Sequence, residues 1–133
     1  MNDTTSSRRS YSIPVVAPGS SVAPASLPHH RLIAYSVSLE LLSAVRAASV
    51  RDATLRDQAL RSAKSACLNT AEGAGRVTRA DKGRSFTIAR AEACEAAAAV
   101  EIAAACGDAV PGSSAEVNRV ADRLVALLTG LIR

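Results

Sequence analysis

The chain has 133 residues, which is enough for one domain and a tail but too few for two domains. Hydrophobic residues make up 48% of it and aromatic residues only 2%, so alanine supplies much of the apolar content. Alanine buries little area, and a protomer with so small a core is expected to self-associate. No run approaches the roughly 20 apolar residues of a membrane helix, which excludes a membrane-spanning protein.

The formal net charge of +4 is unevenly distributed along the chain. Residues 46–90 hold ten Lys and Arg against four Asp and Glu, a local charge of +6. Residues 91–133 hold three against six, a local charge of −3. The middle of the chain therefore suits an acidic partner such as RNA. Two alternatives stay open, namely a solvated basic face and arginines that pair with carboxylates inside an oligomer.

The cysteines and the N-terminal segment bear on the compartment. Cys67, Cys94 and Cys106 form no Cys-x-x-Cys pair and leave one over, so they are predicted to be buried thiols in a reducing environment. Prolines interrupt the N-terminal segment, which therefore lacks the continuous apolar run of a signal peptide. We expect a cytoplasmic protein.

Residues 1–28 contain four of the five prolines and many Ser and Thr residues, and they are predicted to form a flexible tail. The remaining residues, 29–133, are predicted to form the folded domain. His29 and His30 stand at the junction without further ligands at a useful spacing, so a structural role is favoured over a metal site.

Four segments show helical periodicity and no strand alternation, which predicts an all-α, antiparallel up-down four-helix bundle. The first segment covers about residues 30–49, and its predicted buried stripe is Leu32, Tyr35, Leu39, Leu42 and Val45, widened by Val37 and Leu41 so that the helix contacts more than one neighbour. The second covers about residues 52–71 and buries small side chains, among them Ala59, Ala63, Ala66 and Cys67. The third follows a predicted capping box of Thr78 and Asp81 and runs to about Cys106, and the fourth follows a predicted capping box of Ser113 and Glu116.

Two glycines, Gly73 and Gly75, are predicted to end the second helix, because glycine reaches the left-handed conformation without strain. The same stretch is a poor phosphate loop. It follows a helix instead of a strand, Thr78 stands where a dinucleotide fingerprint has its third glycine, and the lysine of a Walker motif is absent.

The sequence does not favour an enzyme, and we expect no catalytic residue, cofactor or metal. The carboxylates that could pair for acid–base work, Glu72, Glu92, Glu95 and Glu101, lack the neighbouring groups of an active site. Cys67 has no histidine nearby in sequence, and no Glu-x-x-His pair exists for a di-metal centre.

Two polar sets in the middle of the chain are the candidate binding residues. One face of the second helix carries a stripe of Gln58, Arg61, Ser65, Asn69 and Glu72. Because buried polar groups need partners, this stripe predicts hydrogen bonds across a helix–helix or subunit contact, with Arg61 or Arg90 pairing with Glu72 or Glu95. The candidate nucleic-acid-binding residues are Arg51, Arg56, Lys64, Arg76, Arg79, Lys82 and Arg84. Since no aromatic residues are interleaved with them, such binding would be directed at phosphates and depend strongly on salt.

These residues also resemble the signature of a known family. Leu55-Arg-Asp-Gln58, Arg61, Ser65, the run 69–76, the run 82–90 and Glu95 are similar to the small bacterial proteins encoded by intervening sequences in 23S ribosomal RNA genes. The resemblance implies a four-helix bundle that assembles as a homopentamer without known enzymatic activity. It also implies the motif residues Gln58, Arg61, Asn69, Glu72, Gly73, Arg76, Arg90 and Glu95.

A related branch of that family, the accessory proteins of diversity-generating retroelements, binds a reverse transcriptase and nucleic acid. The chain departs from the family pattern in two places. Tyr35 is the only aromatic residue of the first helix, and Ala91 and Glu92 stand where a Gly-Ser pair is common. We therefore predict a non-catalytic oligomeric bundle that binds RNA or a nucleic-acid-processing partner through a basic surface. The alternative is a purely structural homo-oligomer.

Overall fold

The computed structural model describes residues 26–133, and within them every regular element is helical. One turn of 3-10 helix, Pro28–Arg31, precedes four α-helices. These are α1 (Ile33–Ala47), α2 (Ala53–Gly75), α3 (Arg79–Ala105) and α4 (Ser113–Ile132). The predicted all-α bundle is confirmed. Most of the predicted tail, residues 1–25, lies outside the described residues.

Successive helices run antiparallel and surround one core. The thiol of Cys67 in α2 donates to the carbonyl of Ser38 in α1, and Arg90 in α3 reaches Thr129 in α4. At one end of the bundle, backbone bonds from Arg51 N–H to the Asp108 carbonyl and from Val110 N–H to the Ala48 carbonyl tie the two loops together, each at 2.9 Å. The arrangement is the predicted up-down bundle, with each helix packed on its two neighbours.

Alanine dominates the contact between α2 and α3, the most extensive in the bundle. The fully buried alanines of these two helices are Ala59, Ala63, Ala66, Ala89, Ala93, Ala96 and Ala103. Side chains this small let helix backbones approach closely, so packing is dense although little apolar area is buried per residue. The larger buried side chains, Leu41, Leu124 and Leu128, come from α1 and α4.

The buried face of the first helix is centred on Val37 and Leu41, which were predicted only to widen the stripe. Val37, Leu41 and Val45 are buried, whereas Leu39 is 38% exposed. The stripe prediction failed at Leu39 because this helix is apolar on more than one side, and periodicity alone does not then select the core face. The helix is also preceded by a separate 3-10 turn instead of starting at residue 30.

Gly73 does not end α2, contrary to the sequence prediction. The helix continues to Gly75, and neither glycine has a positive φ. Gly73 is instead a point of close approach, because a Cβ there would lie 2.6 Å from Cδ1 and Cε1 of the Phe86 ring. The left-handed glycines are Gly107 and Gly112, with φ of 77° and 83°, in the loop between α3 and α4.

The helix starts are capped partly as predicted. Thr78 accepts a hydrogen bond from the backbone N–H of Asp81 at 3.1 Å, and Asp52 caps α2 through the N–H of Leu55 at 2.9 Å. The predicted capping box at Ser113 is wrong. Gly112 occupies the N-cap, and the Ser113 hydroxyl donates backwards to the Val110 carbonyl at 2.6 Å.

The cysteines divide between core and surface. Cys67 is buried as predicted, but Cys94 and Cys106 are exposed, so the prediction of three buried thiols was wrong for two of them. Cys94 lies on the exposed side of α3, and Cys106 is the exposed C-cap of the same helix. Small apolar residues occur on both the buried and the exposed side of this helix, so residue type alone does not predict which are buried. All three cysteines are free.

A candidate nucleic-acid interface and the motif residues

The connection between α2 and α3 concentrates positive charge at one corner of the bundle. Four of the candidate nucleic-acid-binding residues lie here within nine positions, and we call them the basic corner: Arg76, Arg79, Lys82 and Arg84. Thr78, which caps α3, lies in the middle of them. The free N–H groups at the start of α3 add positive potential to the same corner. Val77 beside them is 91% exposed.

The cations of the basic corner differ in how they are held. Arg76 pairs with Glu72 one turn earlier, and Arg84 lies 3.6 Å from Asp81. Both pairs are solvent-exposed, so each contributes little stability and can be exchanged for another anion. Arg79 donates to the main-chain oxygen of Arg133, the last residue of the sequence.

Lys82 has a structural role within the basic corner. Its Nζ donates to the carbonyl oxygens of Ala74 at 2.9 Å and Gly73 at 3.4 Å. The Gly73 carbonyl also accepts from the Arg76 N–H at 3.3 Å, whereas the Ala74 carbonyl lies in the last turn of α2, where helical donors run out. A cation is favoured at that end of the helix dipole. Lys82 is therefore a cap for α2 more than a free contact for a ligand.

The other three candidate nucleic-acid-binding residues lie away from the basic corner. Arg51 precedes α2, where it bonds the Gly107 carbonyl at 2.6 Å and Asp108 at 3.3 Å. Arg56 and Lys64 follow within the first half of α2. Along a helix of this length the separation from Arg51 to the basic corner is on the order of 30 Å. The seven residues therefore form two groups at different places on the bundle.

The polar stripe of α2 forms the predicted bond across a helix–helix contact at Gln58, and its other members bond within α2 or at its C-cap. The side-chain amide of Gln58 donates to the carboxylate of Glu95 on α3, and Arg61 donates to the side-chain oxygen Oε1 of Gln58 at 3.0 Å. Glutamine thus links the arginine to the carboxylate, where a direct ion pair was the expected form. The side-chain amide of Asn69 donates to the carbonyl oxygen of Ser65 at 2.9 Å and to the Ser65 hydroxyl oxygen at 3.0 Å.

The family-motif residues do not gather into one site. Arg90 lies on the other side of α3, where its Nε donates to the Thr129 hydroxyl at 2.8 Å. It pairs with neither Glu72 nor Glu95, contrary to the sequence hypothesis. Half of the motif thus supports helix seams: Gln58 and Glu95 between α2 and α3, Arg90 between α3 and α4, and Gly73 under the Phe86 ring.

The groups weighed for chemistry are separated in space or occupied. Glu72 is held by Arg76 and Glu95 by Gln58, while Glu92 is half-buried and Glu101 exposed. Burial raises the pKa of the Cys67 thiol, which lowers its reactivity. The thiol also donates a hydrogen bond to the Ser38 carbonyl at 3.2 Å. Residues 26–133 contain no cluster of three or more side chains suited to hold a metal ion.

The outward face of α3 carries apolar side chains that the sequence reasoning did not single out. Ile88 is 43% exposed and Ile102 52% exposed. Together with three exposed residues at helical spacing between them they form the outer stripe: Ile88, Ala91, Glu95, Ala98 and Ile102. The three-and-four spacing of these residues was visible in the sequence. It was obscured because the buried alanines of the same helix show that spacing too.

None of the helices described is both long and apolar enough to cross a membrane. A comparison with curated proteins gave no match. A family model described as 23S rRNA-intervening sequence protein matches residues 31–130, which span all of α1 to α3 and nearly all of α4. The chain therefore belongs to the 23S rRNA-intervening sequence protein family.

Proposed function

We propose that this protein is a non-catalytic, self-associating bundle that binds the phosphate backbone of RNA through the basic corner. The observation that carries the proposal is the placement of four cations within nine residues at one exposed corner. The capped start of α3 lies among them, and a helix N-terminus is a favourable place for a phosphate. This geometry requires no pocket and no reacting group.

The exposed ion pairs of the basic corner are compatible with phosphate binding. Arg84 and Asp81 are joined at 3.6 Å with the arginine side chain 73% exposed. Such a pair is worth well under ~1 kcal/mol, so a phosphate can replace the carboxylate at little cost. Arg79 bonds the main-chain oxygen of Arg133 through one nitrogen, and its guanidinium has further N–H groups that a phosphate can contact.

Binding of this kind is independent of base sequence. Of the aromatic residues in the described part of the chain, Phe86 is buried against Gly73 and Tyr35 is half-buried in α1. Neither stands at the basic corner, so bases have no aromatic surface there on which to stack. The expected ligand is structured RNA that presents closely spaced phosphates.

The direct test is filter binding of an RNA hairpin to the full chain across a salt series. The test variant is Arg79→Gln/Arg84→Gln, and the matched control is Arg119→Gln/Arg123→Gln, which removes the same charge from α4. Each phosphate contact contributes about 0.7–0.9 to the slope of log affinity against log salt. We expect the test variant to lower that slope by roughly the contribution of one to two phosphate contacts. The control should keep the slope of the wild-type chain.

Two outcomes would contradict the proposal. One is the absence of saturable RNA binding at low salt. The other is binding whose salt slope is the same for both double variants, because the contacts would then lie elsewhere. Circular dichroism of both variants checks that the bundle is intact.

A second candidate function, a purely structural homo-oligomer, is favoured by the outer stripe of α3. Ile88 and Ile102 expose apolar area that a lone protomer leaves in water, and the alanines between them allow a close helix contact. The homopentamer that the family resemblance implies would bury such a stripe in each protomer. An oligomer that forms normally and binds no RNA at any salt concentration would favour this candidate.

A further inference from the structure

A groove runs along the seam between α1 and α2, on the side of α2 opposite the polar stripe. Its volume is about 360 Å³, and it is open to solvent. The apolar floor is formed by Val45, Val50 and Leu60. Val45 and Val50 are buried and fixed by the core, whereas Leu60 is half-buried and presents its side chain to the groove.

Three cations surround this floor: Arg46 at the end of α1, and Arg56 and Lys64 on α2. Within residues 26–133 no carboxylate lies within ion-pair distance of Arg46 or Lys64. Arg56 has only a loose, exposed contact with Asp57 at 3.8 Å. The rim therefore has a surplus of at least two positive charges, which leaves it without internal compensation.

The combination of an aliphatic floor and a basic rim indicates the chemistry of the occupant. The floor offers valine and leucine side chains, which bury aliphatic groups well but give a nucleobase no aromatic surface on which to stack. The rim attracts carboxylates on either side of such an anchor. A nucleic acid would satisfy the rim and leave the floor wet.

We infer that this groove, which we call the α1–α2 groove, is a docking site for an acidic peptide segment of a protein partner, anchored by one or two aliphatic side chains. The segment inserts its leucine- or isoleucine-like side chain over Leu60 and places its carboxylates beside Arg46 and Lys64. The groove lies away from the basic corner, so this inference does not depend on the RNA proposal.

Fluorescence polarisation with a defined probe tests the inference on the full chain. The probe is a fluorescein-labelled peptide of about 12 residues in which leucines are interspersed among glutamates. Its control peptide carries glycine in place of each leucine and has the same charge. We expect saturable binding of the leucine peptide that weakens with salt, and binding of the control peptide at least about tenfold weaker.

Protein variants locate the site. Arg46→Glu/Lys64→Glu should weaken the leucine peptide at least about tenfold, and Leu60→Ala should weaken it several-fold while leaving the salt dependence unchanged. The control is Arg31→Glu, which reverses an exposed charge in the 3-10 turn at the opposite end of α1. Urea unfolding confirms that each variant is folded under the assay conditions.

Three results would overturn the inference. The first is no saturable peptide binding up to millimolar concentration. The second is that an RNA hairpin displaces the peptide and binds the variant Arg46→Glu/Lys64→Glu more weakly than the wild-type chain, which would assign the groove to nucleic acid. The third is a change in the mass of the assembly in that variant without peptide, which would assign it to a second copy. Failure of the RNA proposal alone would leave peptide binding intact.

Discussion

Gly73 is the position where a single atom decides the packing of α2 on α3. The Phe86 ring covers its Cα, and a Cβ would meet two ring carbons at 2.6 Å. Phe86 is 3% exposed, so the ring has little room to move away. Gly75 lies two residues later in the same helix and has nothing within 4 Å of an added Cβ. The two glycines therefore form a matched pair that differs in contact and not in backbone conformation.

We expect Gly73→Ala to destabilise the bundle and Gly75→Ala to stabilise it. Alanine raises helix stability by up to ~1 kcal/mol at either site, but overpacking against Phe86 costs about 1–3 kcal/mol at Gly73. Urea unfolding measures both changes. Adding Phe86→Leu to Gly73→Ala should recover part of the loss relative to Phe86→Leu alone. If Gly73→Ala proves as stabilising as Gly75→Ala, the close approach has been misjudged.

The sequence identified Gly73 as special but assigned the wrong reason. A glycine near the end of a periodic segment usually marks a left-handed stop, and nothing local reveals a ring arriving from another helix. Cys94 and Cys106 illustrate the same limit. Their residue type favours burial, but exposure depends on which face of α3 is covered, and that is decided by tertiary packing. Residue type predicted Cys67 correctly because its alanine neighbours share one face.

At the scale of the helix, the end of α2 is stabilised by a side chain from α3. Lys82 donates to the Ala74 carbonyl at 2.9 Å and to the Gly73 carbonyl at 3.4 Å, and the second of these also accepts from the Arg76 N–H. The sequence had assigned Lys82 to nucleic-acid binding by charge alone. Charge along a sequence does not show whether an ammonium group is free or already bonded, so this distinction required the structure.

We expect Lys82→Ala to lower the free energy of unfolding by about 1 kcal/mol, since it removes the lysine donor of the Ala74 carbonyl and a cation from the negative end of α2. The comparison variant is Arg84→Ala, whose exposed pair with Asp81 should cost less than ~0.5 kcal/mol. Chemical denaturation distinguishes the two. Equal losses in both variants would mean that the lysine acts as a general surface charge and not as a cap.

Helix number and order were predictable because each segment has a strong period and ends near glycine, proline or a capping residue. The buried face of a helix was predictable only where the side chains on one face were clearly smaller than those on the other, as in α2. In α1 the leucines surround the helix, so Leu39 was placed in the core although it is exposed. The partners of the polar stripe also needed the structure, because Gln58 could reach Arg61 and Glu95 only once α3 was positioned.

At the scale of the whole molecule, the three candidate binding surfaces lie at different places. The basic corner lies at the α2–α3 connection, the α1–α2 groove along another seam, and the outer stripe on the outward face of α3. A homo-oligomer built on the outer stripe would therefore leave the α1–α2 groove accessible. This separation is what allows assembly and binding to be tested by different variants.

We expect the wild-type chain to form a homo-oligomer, with the pentamer as the assembly that its family resemblance implies. The variant Ile88→Glu/Ile102→Glu places two carboxylates in the outer stripe, where desolvation of each would cost several kcal/mol, and should therefore reduce the assembly to monomers. Size-exclusion chromatography with light scattering measures the mass. Val110→Glu is the control, because Val110 is exposed to a similar extent, 46%, but lies in the α3–α4 loop away from the stripe. A wild-type monomer, or an oligomer unaffected by both isoleucine substitutions, would contradict assembly through this face.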